Sequence, residues 1–121
     1  MQEDTFHQRL KHLMHQYVRA VYTLCKKFPR EELYGMTSQV RRAALSIILN
    51  YIEGFARRRL AVKLNFFETS YGSFKESEYI MFLAREEGYF TDEEYTSVKT
   101  LGNEIGAMLW KTIQGVEQDN Q

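Results

Sequence analysis

The stretch from Thr37 to Arg57 constrains the fold of this chain more than any other. Val40, Ala43, Ala44, Ile47, Ile48, Tyr51, Ile52 and Phe55 recur at helical spacing, yet they occupy most of the circumference of that helix rather than one stripe. A helix apolar on nearly all sides has to be covered on more than one of them. In a chain with few helices, that predicts a subunit interface as well as an internal core. Set into the apolar run are Ser46, Asn50 and Glu53, which share one face, and Arg57 continues the line four residues on. A carboxylate among apolar neighbours needs a cation or several hydrogen-bond donors. Candidate partners for Glu53 are Arg57 in the same helix, Arg41 or Arg42 of a neighbouring subunit, and serines of another helix.

Three further segments have helical rather than strand spacing. In residues 5 to 28, Leu10, Met14, Tyr17, Val21, Leu24 and Phe28 form a stripe; Thr5 with Gln8 resembles a capping box, and Pro29 ends the helix. Residues 61 to 87 carry the bulky Phe67, Tyr71 and Phe74 beside a strip of small residues, Ser70, Ser73, Ser77 and Ala84, where another helix has room to approach closely. Gly88 is placed as its C-terminal cap. Residues 92 to 116 open with Thr91 and Glu94 as a capping box and with acids in the first turn, where the helix dipole favours them. Short connections near residues 58 to 61 and 88 to 90 make sequential neighbours antiparallel. The fold class is therefore all-α, an up-down-up-down four-helix bundle in one domain spanning residues 1 to 121.

Composition decides whether such a bundle needs a staple. A chain of 121 residues, 44% hydrophobic and 26% charged, has enough apolar surface for a core without metal or disulfide. The lone Cys25 cannot form an internal disulfide and suits a reducing compartment. With neither a signal-peptide pattern nor a membrane-length apolar run, the expected location is cytoplasmic, with no membrane partner. The net charge of zero conceals an asymmetry: residues 1 to 59 hold 11 Lys and Arg against 5 Asp and Glu, and residues 60 to 121 hold 5 against 11. Such a division orients an anionic partner or draws neighbouring subunits together.

No catalytic constellation is visible. Glu76 and Glu78 stand two apart on a helix and diverge, and the Glu-x-x-His of di-iron bundles is absent. His12 and His15 share a face without a carboxylate or cysteine beside them, so no metal site is assigned, and no motif for a nucleotide, flavin or other cofactor occurs. Ser46, Asn50 and Glu53, with Ser73 of the third helix, are read as a structural polar layer that sets register. The cluster Arg57, Arg58, Arg59 and Lys63 is the candidate nucleic-acid contact; the alternative is that the arginines cap a helix C-terminus and solvate a turn.

FPREELYGMTSQVRRAALSIILNYIEGFAR, residues 28 to 57, resembles the signature of bacterial four-helix-bundle proteins encoded in intervening sequences of 23S rRNA genes. The matching residues are Phe28, Pro29, Glu32, Leu33, Gln39, Arg41, Arg42, Ala43, Ser46, Ile47, Asn50, Glu53 and Gly54. FFETSYGSFKESEYIMFLAREEGY is similar to the family's third helix, with Gly72, Ser73 and Glu76 at its marked positions. Met36 stands for the usual leucine, and Tyr51-Ile52 for the usual Ile-Ala, which adds bulk beside Glu53. The resemblance implies a homopentameric ring without established enzymatic activity. It also implies a distant likeness to the pentameric accessory protein of diversity-generating retroelements, which binds a reverse transcriptase and nucleic acid.

Two functions are expected from these readings. One is a non-enzymatic oligomer that binds RNA or DNA through its repeated basic cluster. The other is a scaffold that recruits a partner protein, with the loop Arg30 to Gly35, carrying Leu33 and Tyr34, as the contact.

Overall fold

A computed structural model describes residues 2–120, with side chains from residue 5 to residue 120. Helices α1 (Gln2–Cys25), α2 (Met36–Ala56), α3 (Leu60–Glu86) and α4 (Asp92–Asp119) are joined by short turns, with a 3-10 segment at Arg30–Glu32 and no strand among the described residues. Each helix packs on two others, α1 and α3 both lying between α2 and α4. The directions alternate. Along α2 and α3, Arg42 pairs with Glu76, Ser46 with Ser73, Ser70 with the Ile47 carbonyl, and Gly54 lies against Phe67, so residue number rises on one helix as it falls on the other. The expected up-down-up-down bundle is the fold of the chain.

Helices α2 and α3 approach most intimately along the strip of small residues. Ser70 Oγ donates to the Ile47 carbonyl at 2.7 Å, and both Ser70 and Ser77 are fully buried. Ser77 Oγ spends its proton on the Phe74 carbonyl at 2.8 Å and so accepts from the Tyr17 hydroxyl at 2.9 Å. Burial pushes that phenol up to about 12. The bond ties α1 to α3 across the centre of a core built on Tyr17, Tyr51, Phe67, Phe74, Leu10, Ile105 and Leu109.

The helix ends differ from expectation where a turn imitates a helix. α1 stops at Cys25 rather than at residue 28: Lys26, Lys27 and Phe28 donate to Thr23, Leu24 and Cys25, three residues back, because the chain is tightening toward Pro29. Phe28 still points inward, since a three-residue period keeps it near the same stripe. At the other end α1 already runs at Gln2, so Thr5 lies within the helix and is not its N-cap. α2 starts at Met36 after Gly35, one residue before the expected stretch, and its first amide is capped by Glu32 Oε1 at 3.0 Å. The capping box of α4 is present as expected: Thr91 N–H donates to Glu94 Oε1 at 2.8 Å and Glu94 N–H to Thr91 Oγ1 at 3.2 Å. Gly88 adopts φ +79°, the left-handed conformation that glycine takes most readily, and closes α3.

Part of the charge asymmetry is neutralised inside the chain. Arg9 pairs with Glu104, Lys27 with Glu94 and Arg42 with Glu76, each joining the basic half to the acidic half. None of the helices among the described residues is long and apolar enough to cross a membrane.

Candidate nucleic-acid interface

The turn between α2 and α3 consists of Arg57, Arg58 and Arg59, and its arginines are not equivalent. Arg57 ends α2 with extended backbone, forms an ion pair with Glu53 one turn back, and lies with its guanidinium 5.2 Å from the centre of the Phe66 ring. Lys63, from the first turn of α3, reaches back over the turn. Its Nζ donates to the carbonyls of Gly54 and Phe55 at 3.1 and 3.0 Å, in the last turn of α2, where the Gly54 oxygen also accepts from the Arg57 amide at 3.2 Å. Partial desolvation lowers the pKa of this ammonium. Of the four residues grouped from the sequence, Arg57 and Lys63 are therefore engaged within the chain. Arg58 and Arg59 are exposed and form no ion pair among the described residues.

An open cleft of about 500 Å³ lies at this end of the bundle, with Phe55, Lys63 and Phe67 in its wall. Lys111 of α4 joins that wall, a cation that sequence reasoning missed because nothing local to α4 marks it.

The polar face of α2 divides. Asn50 Nδ2 donates to the Ser46 carbonyl at 2.9 Å and to Ser46 Oγ at 2.8 Å, which leaves the Ser46 proton for Ser73 Oγ, 2.8 Å away. Ser46, Asn50 and Ser73 thus form one half-buried hydrogen-bonded layer between α2 and α3. Glu53 does not join it. Its carboxylate is exposed and pairs with Arg57, one of the partners open to it from the sequence.

Outside this layer α2 turns a second apolar face to solvent. Leu45, Leu49 and Ile52 follow one another at helical spacing and are 39%, 51% and 45% exposed, with Phe55 beside them at 47%. His12 and His15 are exposed, and no cluster of three metal-ligating side chains occurs among the described residues. Cys25 is buried, and desolvation pushes its thiol up to about 11.

Fold and surface together define a small helical bundle with an apolar face of α2 turned to solvent and a basic turn in which Arg58 and Arg59 form no ion pair among the described residues. Residues 8–111 match the sequence profile of the 23S rRNA-intervening sequence proteins, and the chain belongs to that family. It is similar to the crystal structure of a protein of unknown function from the S23 ribosomal protein family of Bacteroides thetaiotaomicron. The TM-score is 0.78 at 25% identity, over 86% of this chain and 97% of the other. No curated protein matches it.

Proposed function

We propose that this protein is a cytoplasmic, non-enzymatic homo-oligomer, a ring of five in the form the family resemblance implies, that binds RNA or DNA through basic turns repeated around the assembly. The observation that carries the reading is the pair Arg58 and Arg59, exposed and without an ion-pair partner among the described residues, at the end of a helix whose outer face is apolar. Burying that face against a second copy would repeat the pair once per subunit, and modest single contacts would then add by avidity. The free thiol of Cys25 suits a reducing cytosol.

Fluorescence anisotropy with labelled RNA and DNA across a salt series tests the reading. Each phosphate contact contributes roughly 0.7 to 0.9 to the logarithmic salt slope, so changing Arg58 and Arg59 together to Gln flattens the slope and weakens all sequences alike. Adding Arg57→Gln or Lys63→Gln changes affinity less, because both residues already have partners within the chain. Failure of the unaltered protein to bind either nucleic acid at low salt sinks the proposal. A second reading, a scaffold for a partner protein, draws support from Tyr34, 93% exposed beside Leu33 in the loop before α2. It gains if nucleic acid does not bind and Tyr34→Ala abolishes capture of a defined partner.

A further inference from the structure

We propose that the pocket at the N-terminal end of α2 is a binding site for a phosphate monoester, with room for a planar base beside the phosphate. It lies about 30 Å along α2 from the arginine turn, at 1.5 Å per residue, and its existence does not depend on that turn binding anything.

The pocket has a volume of about 330 Å³ and is assembled from the end of α1, the loop after it and the first turns of α2. Lys26, Arg30 and Arg41 line it, and no carboxylate does. None of the three cations forms an ion pair among the described residues, whereas nearby Lys27 is taken by Glu94 and Arg42 by Glu76. The neighbouring carboxylate of Glu32 is not in the lining; it accepts from the Met36 amide at the start of α2 at 3.0 Å and from the Tyr89 hydroxyl at 3.1 Å. Three cations are thus gathered around one concavity without a counter-charge in its lining.

Two further features point to an anion. The pocket lies beside the start of a 21-residue helix with no acidic residue in its first turn; Glu32 takes the first amide and partly offsets the positive end of the dipole there. Thr37, in that first turn, is only 6% exposed, and its hydroxyl has no hydrogen-bond partner among the described residues. No fully buried side-chain oxygen or nitrogen in the described chain lacks a partner. The Thr37 hydroxyl must therefore keep an accessible edge, and the cavity that Thr37 lines is this one. Thr37 is thus a lining residue whose hydroxyl is available as a donor to an anion seated in the pocket.

The remaining wall is aromatic. The Arg41 guanidinium stacks 4.6 Å from the centre of the Tyr22 ring, which orients the guanidinium plane while leaving its edge donors available. Phe28 completes an apolar side against which a base can lie. Inorganic phosphate shares the chemistry of the charged end alone, and a nucleoside shares that of the apolar end alone.

The test titrates the intact protein with adenosine 5′-monophosphate, inorganic phosphate and adenosine. Isothermal calorimetry gives affinity, and amide chemical-shift mapping gives location. The nucleotide is expected to bind most tightly, phosphate at least tenfold more weakly and adenosine more weakly still, with shifts centred on residues 22 to 41. Arg30→Gln with Arg41→Gln should weaken the nucleotide by about tenfold or more, the scale of one lost charge-assisted contact. Thr37→Val, which keeps the shape and removes the hydroxyl, should weaken it several-fold. Arg58→Gln with Arg59→Gln should leave it unchanged, which separates this site from the arginine turn. The proposal is overturned if no shifts appear, if they map elsewhere, if they survive the Arg30 and Arg41 changes, or if adenosine binds as well as its monophosphate. It also fails if those changes alter only the assembly mass, because the pocket then serves a neighbouring subunit's acids. Thermal melting of each variant confirms that it is folded.

Discussion

Gly54 lies directly against the ring of Phe67: a Cβ on Gly54 would sit 2.7 Å from Phe67 Cε1 and 2.8 Å from Cδ1, with Phe66 Cβ at 3.0 Å. Phe67 is buried on the opposite side by the core, and the small residues of α3 have already brought the two backbones together. At this crossing the helices have no room for even one methyl group.

Gly54→Ala should therefore destabilise the protein. Alanine favours a helix over glycine by about 1 kcal/mol, but overpacking a close contact costs about 1 to 3 kcal/mol, so the net loss is up to about 2 kcal/mol. Gly72→Ala is the matched control, since a Cβ there meets nothing within 4 Å. It should gain up to about 1 kcal/mol by helix propensity alone. Urea midpoints measure both, and a midpoint for Gly54→Ala raised as far as that of Gly72→Ala would refute the packing account.

The hydroxyls of Ser46 and Ser73 should be energetically coupled. Ser46→Ala removes an acceptor from Asn50 and a donor from Ser73, at a cost of about 1 kcal/mol for groups that are only half-buried. In a double-mutant cycle with Ser73→Ala, the two losses should fall short of additivity by at least about 0.5 kcal/mol. Additive losses would mean that the two hydroxyls act separately.

Acid should unfold the start of α4 first. Glu94 is held well below the usual carboxylate range, at about 2, by the Lys27 ammonium and then by the Thr91 amide of the capping box. A carboxylate whose folded pKa is depressed contributes stability that is present above its unfolded pKa, near 4.5, and lost as pH falls through about 2. The melting temperatures of the unaltered protein and Glu94→Gln should differ at pH 7 and converge as pH drops through that window. A difference independent of pH would assign the effect to shape rather than charge.

Leu49→Glu separates folding from assembly. Leu49 is half exposed on the outer face of α2, so the change should leave the stability of the separate chain within about 0.5 kcal/mol. If that face is the subunit interface, light scattering should show the mass falling from a multiple of 14.4 kDa to a single chain. An unchanged mass would place the interface elsewhere and leave the apolar stripe without this explanation.

Four helices, their alternating directions and the capping box at Thr91 were legible in the sequence. Their signals are carried within a turn or two of chain: apolar residues at three and four, a threonine and a glutamate three apart, and connections too short to allow parallel neighbours. Even the excess apolar surface of α2 was legible, with Ile52 and Phe55 in the apolar run that covers most of its circumference, whereas Leu45 and Leu49 were recognised only from their exposure in the structure. The end of α1 was misread for an equally local reason, because the tight turn from Lys26 to Phe28 keeps a helix-like period. What only the tertiary structure decided is where each polar group finds its partner. Glu53 stands in solvent with Arg57 while Asn50, three residues away, bonds to Ser46, which meets Ser73 of α3. Lys63 caps a helix instead of joining Arg58 and Arg59, and Lys26, Arg30, Arg41 and Thr37 share a pocket that no sequence interval announces. Periodicity fixes which side of a helix is apolar, whereas the fate of a charge depends on distances to atoms from other helices, which exist only once the helices have packed.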